Sequence, residues 1–411
     1  MGRTTFVASS SWLASQRHDP RLSKPFSVRV RMRPHLPRWA RNLISIALTL
    51  AAIVIFLLSP NGHNLLRLCN KHTLTGTSSH HHDGTTEIPN TIHFVSILPD
   101  PEQDFDFQFS HFLSIYAAWF YWRPSAIYLH TNTQADGQVV TRAQNGTAGK
   151  WAQSIFTLFN LQINQVEVPA QAGNGMEIKE LEHRSDFVRV KAIHDFGGVY
   201  IDWDVHALRD IAILRSSGFN AVAGRQMGDE INSGVFMSKK NGRMITLWMK
   251  GMHEAYTGGW TAHSNGVLTK VGQRLVREVG EVLIMERNAF APGSWKREDC
   301  EDLFQVHADE PSNLDNYEAG KARLLPLHQE PSDDRWDHTT DYPGWARDWS
   351  SAYLLHAFSP ARWGYPIEGF HNITPRYVLE RRSNFARAVY PIAQRMFTDG
   401  LVEIDDTHTG F

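Results

Sequence analysis

An α/β domain with a mainly parallel sheet, carried behind a single membrane-spanning helix, is what this 411-residue chain predicts. Three observations lead there. Sixteen uncharged residues run from Leu43 to Leu58, and short β-branched runs alternate with helical stretches from Glu87 onward. One amphipathic stretch then stops at Gly197-Gly198 and gives way to a strand carrying two aspartates.

The apolar run ends at Ser59-Pro60. At ~1.5 Å per residue it spans about 24 Å, slightly less than the roughly 27 Å of an endoplasmic-reticulum bilayer. A cleaved signal peptide would have a short basic region, whereas some forty residues precede this run and no small-x-small cleavage site follows it. An uncleaved anchor at residues 43–60 is therefore expected. Residues 1–41 hold nine Lys and Arg against the single Asp19, a surplus of eight. Positive charge stays on the cytoplasmic side, so the body should lie in the lumen of the endoplasmic reticulum or Golgi as a type II single-pass protein. The whole chain carries −2, which leaves the remainder acidic by ten. Such a body is not built for nucleic acid, whose phosphates require clustered Lys and Arg.

Four parts follow: a basic tail (1–42), the anchor (43–60), a flexible stem (61–87) and a luminal body (88–411). The stem is rich in Asn, His, Thr, Ser and Gly, with a solvated tract at His80, His81 and His82. Two cysteines, Cys69 and Cys300, cannot make a disulfide scaffold or a four-cysteine zinc site, and whether they pair is left open. Asn145-Gly-Thr147 and Asn372-Ile-Thr374 are glycosylation sequons, making Asn145 and Asn372 candidate sites in a luminal body.

Within the body, the run from Glu87 to Val95 reads as a first strand after Pro89, and Phe109–Trp122 as a helix. A strand over Ala126–His130, a helix over Lys150–Asn160 and a strand over Gln165–Val168 come next. Strands alternating with helices at this spacing argue for parallel pairing. From Glu180, apolar residues at Leu181, Phe187, Val190 and Ile193 mark a helix that the double glycine ends. Val199–Val205 alternates with period two, placing Tyr200, Asp202, Asp204 and His206 on one face. Two carboxylates then emerge together at the carboxyl end of a strand, where α/β sheets place their ligands. A divalent cation such as Mn²⁺ or Mg²⁺ suits such a pair, since hard cations take oxygen ligands and leave positions for phosphate. A calcium loop is excluded by register: counting from Asp202, Ala207 stands at its glycine position and Ile213 at its final glutamate.

Ser185-Asp186-x-x-Arg189 followed by Gly197-Gly198-Val-Tyr200-Ile-Asp202-Trp-Asp204 resembles the glycosyltransferases that carry a DXD sugar-binding region, the group of the fungal initiating α-1,6-mannosyltransferases and inositol-phosphoceramide mannosyltransferases. Ile88–His93 is similar to the first strand of that group, and Asn232–Gly242 to its segment beyond the metal site; the likeness covers roughly residues 88–275. The resemblance implies a GT-A fold, an Mn²⁺-dependent nucleotide-sugar donor and retention of anomeric configuration. By it, Asp204 would ligate the metal directly and Asp202 would meet the donor and assist. Asp186, Arg189, Tyr200, Asn232 and His93 would hold the donor sugar and diphosphate. Tyr353-Leu-Leu-His356 through Trp363 resembles the late His…Ser-Trp segment, though four residues separate Ser359 from Trp363 where the family places the pair together. His356 is accordingly a candidate third metal ligand or phosphate contact. Trp336, Trp345, Trp349 and Trp363 read either as core or as a stacking platform for an acceptor.

The expectation is a metal-dependent retaining glycosyltransferase. GDP-mannose is the best-matching donor, with UDP-galactose, UDP-glucose or UDP-N-acetylglucosamine as the alternative, and the acceptor is a hydroxyl of a glycan, glycolipid or small metabolite. A nucleotide-sugar hydrolase and an inactive secretory-pathway scaffold are the readings from other classes. No phosphate loop, zinc-protease helix, nucleophile elbow or dinucleotide fingerprint occurs.

Overall fold

The computed structural model describes residues 87–320, 343–358 and 373–410. The tail, the anchor at 43–60, the stem up to residue 86 with Cys69, and Trp336, Trp363 and Asn372 lie outside the described residues. Among the described residues, no helix is long and apolar enough to cross a membrane.

Seven strands form one sheet, in the order β3-β2-β1-β4-β7-β6-β8. They are β1 (Thr91–Ser96), β2 (Ala126–Thr131), β3 (Leu161–Gln165), β4 (Gly198–Ile201), β6 (Ala221–Arg225), β7 (Ile231–Ser238) and β8 (Val282–Met285). β5 (Val205–Ala207) and β9 (Leu354–His356) make a separate antiparallel pair, with Val205 opposite His356. The β3-β2, β2-β1, β1-β4 and β6-β8 neighbours are parallel, as the alternation of helix and strand predicts. β7 is antiparallel to both its neighbours, so the sheet is mixed. The cause is local. Only five residues link β6 to β7, with Gly228 and Asp229 at φ 83° and 62° and the Gln226 N–H donating to the Glu230 carbonyl at 2.8 Å. A connection that short can join only antiparallel strands.

The helix over Phe109–Trp122 lies where expected. The next helix stops at Phe156 rather than Asn160, and the third strand is Leu161–Gln165 rather than Gln165–Val168. Asn160 takes a left-handed φ of 70° and its side-chain amide donates to the Pro124 carbonyl at 3.3 Å, which turns the chain early and starts the strand four residues sooner. A second correction bears on the site. β4 ends at Ile201, the Asp202 carbonyl accepts from the Val205 N–H at 3.1 Å, and the chain turns across Asp202–Val205. The continuous strand expected over Val199–Val205 is thus two strands in two sheets, and the carboxylates sit on the turn between them.

The long helix over Leu181–Phe196 ends as the glycine pair requires, Gly197 donating to the Ile193 carbonyl at 2.9 Å. Gly197 and Gly198 have φ of +70° and +109°. A Cβ on Gly198 would lie 2.2 Å from Thr91 Oγ1 and 2.6 Å from the Thr91 carbonyl on β1. Gly198→Ala is expected to cost about 3 kcal/mol, from backbone strain and crowding together. A melting temperature within a degree of wild type would remove that reading.

Candidate functional site

A cavity of about 960 Å³ opens at the carboxyl ends of β1 and β4. Its lining includes Asp186, Arg189, Tyr200, Asp202, Asp204, Asn232 and His356, so seven of the sequence-expected residues meet in one cavity. Helix, strand, turn and β7 each contribute, and β9 brings His356 from more than 150 positions along the chain.

Arg189 organises the buried side. Its guanidinium lies 3.2 Å from Asp186 Oδ1 and 3.2 Å from Asp202 Oδ1, and it donates to the Ser233 carbonyl at 3.2 Å. It also stacks over Tyr200, 4.7 Å from the ring centroid. Burial works against its charge, yet Asp202, Tyr200 and Asp186 together hold it firmly protonated. The Tyr200 hydroxyl donates to Asp202 Oδ1 at 2.5 Å. The Asp202 carboxyl is itself pushed above the usual carboxylate range, by burial first and by the Asp204 charge, against the pull of Arg189.

Asp202, Asp204 and His356 each offer one ligand atom, all within 4.8 Å of one another. A carboxylate pair with one imidazole suits Mn²⁺. Gly234 keeps the place open: a Cβ there would stand 2.6 Å from Asp202 Oδ2 and 2.7 Å from His356 Cε1. The residues present therefore fit a divalent cation. Asn232 orients His356, its Oδ1 accepting from the Gly234 N–H at 2.6 Å while its amide nitrogen meets Nδ1 at 2.7 Å. The neutral ring then carries its proton on Nε2, 3.4 Å from Asp204 Oδ1. A cation on that nitrogen requires the Asn232 amide to turn over, so the two carboxylates are the ready ligands. Phe358, at a left-handed φ of 53°, stacks on the His356 ring at 3.8 Å.

His93 is elsewhere, which corrects the expectation that it meets the donor. It is fully buried within β1, with Nδ1 2.9 Å from His130 Nε2 and Nε2 3.2 Å from Thr91 Oγ1, and it does not line the cavity. Position 93 lies three residues short of the strand's carboxyl end. Trp349 is core, and Trp345 stacks on His307 at 3.9 Å, so neither supplies an acceptor platform. Among the described residues, the tryptophans that line the cavity are Trp203, Trp260 and Trp295. Asn145 is exposed, with Oδ1 accepting from Thr147 N–H and Oγ1. Cys300 is buried and pairs with no cysteine among the described residues, its thiol pushed up to about 11 by burial and the acids beside it.

Burial also lowers His93 to about 3, His130 to about 4 and His206 to about 3. Unfolded, each ring binds a proton near pH 6.5; folded, it refuses one until far lower. Stability is therefore complete above pH 6.5 and falls below it, by about 1.4 kcal/mol per pH unit for each ring. Melting curves should show a loss of about 4 kcal/mol between pH 7.5 and 5.5 from these three residues. A flat profile over that interval would mean the rings are not buried neutral.

Residues 111–223 match the family model described as "Glycosyltransferase sugar-binding region containing DXD motif". The matched residues include Asp186, Arg189, Tyr200, Asp202 and Asp204, the segment in which the sequence resembles the DXD glycosyltransferases. Glucan organizing enzyme 1 of Cryptococcus neoformans var. grubii is 21% identical over 232 residues, 54% of this chain and 58% of that protein. The chain thus matches less than two thirds of that relative's length. Among solved structures, the glycosyltransferase GlyE of Streptococcus pneumoniae is 10% identical with a TM-score of 0.36, the match covering 76% of this chain and 64% of that one. The galactosyltransferase LgtC in complex with donor and acceptor sugar analogs is 14% identical with a TM-score of 0.31, covering 76% and 100%.

Proposed function

We propose that this chain, which carries the DXD glycosyltransferase region, is a metal-dependent retaining hexosyltransferase of the GT-A type that moves a sugar from a nucleotide sugar to a hydroxyl. GDP-mannose is the donor this reading favours, with a UDP-hexose as the alternative. The supporting observation is the convergence of Asp202, Asp204 and His356 at one wall of the cavity, beside the Asp186–Arg189 pair.

Each residue has a task that its surroundings support. Asp204, a third exposed, turns toward the cavity and would hold Mn²⁺ directly. Asp202, anchored by Arg189 and Tyr200, would hold its carboxylate at a set angle beside it. A bound dication would neutralise the charge that builds on the departing nucleoside diphosphate. Asp186 faces Arg189 through Oδ1 and His263 Nε2 at 2.9 Å through Oδ2, so it is fixed at the cavity wall where donor hydroxyls would lie. Asn232 would keep the His356 ring turned toward Asp204. We place the protein in the Golgi or endoplasmic-reticulum membrane with this body in the lumen, on the strength of the apolar run at 43–60 and the basic residues before it.

The test is a thermal-shift panel of the protein with GDP, UDP and their sugars, in Mn²⁺ and in EDTA. Ligand at a hundredfold excess over Kd should add about 2.7 kcal/mol of stability. A shift with one nucleotide series that vanishes in EDTA supports the reading and selects the base. No shift with any of them overturns it.

A further inference from the structure

Beyond Asp186 the cavity is lined by His183 and Trp260, here called its arm, to which the donor reading assigns no task. His183 stands one helical turn before Asp186 on the same helix, and both line the cavity. The His183 ring is 2% exposed; its Nδ1 meets the Tyr256 hydroxyl at 3.1 Å, and among the described residues its Nε2 has no hydrogen-bond partner. Trp260, 47% exposed, lines the same cavity with its ring 5.3 Å from that of His183. Its loop joins the helices Arg243–Ala255 and Asn265–Leu275 and is tied down by Trp248 Nε1 donating to the His263 carbonyl at 3.3 Å. Contacts run unbroken from this arm to the metal site. The His183 and His263 rings lie 4.7 Å apart, His263 meets Asp186, and Asp186 meets Arg189.

We propose that this arm is the acceptor subsite and that it takes an uncharged saccharide, whose ring lies against Trp260 and one of whose hydroxyls meets His183 Nε2. This rests on the sugar-transferase reading above for its role, though not for the binding itself. A broad aromatic face beside one buried, uncommitted polar nitrogen is the usual make-up of a site for a ring with an apolar face and polar rim. Charge selects between acceptors. Among the described residues lining the cavity, Arg189 is the single Lys or Arg, and it already faces two carboxylates. Glu182, Asp186, Asp202, Asp204 and Glu230 line the same space. A phosphorylated headgroup entering this arm would meet acids and no available cation; a neutral sugar meets no such cost.

Binding is read directly by saturation-transfer NMR on the full chain with methyl α-mannopyranoside, methyl β-glucopyranoside and methyl β-galactopyranoside, against inositol 1-phosphate. At least one glycoside should give signals from ring protons, with Kd raised about tenfold by Trp260→Ala and far less by Trp260→Phe. His183→Ala should weaken the same glycoside, while His183→Gln, which keeps a hydrogen-bonding group, should recover part of the loss. Glycoside signals that are absent, or unmoved by Trp260→Ala, overturn the proposal. So does inositol 1-phosphate binding more tightly than every glycoside. The nucleotide panel above fails or succeeds independently, so loss of the transferase reading and loss of this subsite are told apart.

Discussion

Asp204→Asn is expected to reduce sugar transfer by about a thousandfold or more while leaving the melting temperature within a few degrees of wild type. The Asp204 side chain is a third exposed, with Oδ1 3.4 Å from the His356 ring, so its charge is less deeply buried than that of Asp186. The proposed cation site formed by the Asp202 and Asp204 carboxylates beside His356 depends on it heavily. Removing one preorganised electrostatic contact to a developing charge commonly costs 10²–10³ in rate, and loss of a cation removes more than one such contact. Asp202→Asn should be as damaging to turnover but less gentle on the fold, because its carboxylate is the partner of both Arg189 and the Tyr200 hydroxyl. Release of nucleoside diphosphate measures the first effect, and Mn²⁺ titration followed by electron paramagnetic resonance the second. Near-normal turnover by Asp204→Asn would falsify the metal assignment outright.

Arg189→Met should destabilise the protein by about 3–5 kcal/mol, because removing one member of a buried ion network strands the others. Two carboxylates face this guanidinium, and Asp186 is only a tenth exposed. Asp202 already carries a raised pKa from burial and Asp204; without Arg189 the rise becomes larger, and the carboxyl stays protonated to higher pH. Stability should therefore recover in part on acidification through the new Asp202 pKa, opposite in sign to the histidine-driven loss in the parent. For a chain of this size the drop at pH 7.5 amounts to roughly 5 °C in melting temperature. A variant that melts with the parent would show that the network contributes no stability.

Much of the site was legible because it is local. Ser185 to Asp204 is one continuous segment in which helical periodicity, a double glycine and a short β-branched run each favour the observed conformation independently of anything distant. Hence Asp186, Arg189, Tyr200, Asp202 and Asp204 all come to line one cavity. The turn after Ile201 was missed because alternating residues satisfy a straight strand and a broken one equally well. What breaks it is distant: the Asp202 N–H donates to the Gly234 carbonyl, and β5 leaves to pair with β9.

The sequence by itself determined the chemistry on offer, namely a carboxylate pair and a basic partner held in register between a helix and a strand, and the helix–strand alternation of the first half of the body. Only the tertiary structure decided which distant groups join them. His356 reaches Asp204 because β9 pairs with β5, and His183 reaches Trp260 because a loop seventy-odd positions later folds over its helix. His93 is drawn into the core by its stacking with His130 and Tyr128. The physical reason is the range of the forces. Propensity, capping and side-chain alternation act within a few residues. Pairing across long stretches of chain is settled by the burial and hydrogen bonding that offset the entropy of closing them, which no local pattern records.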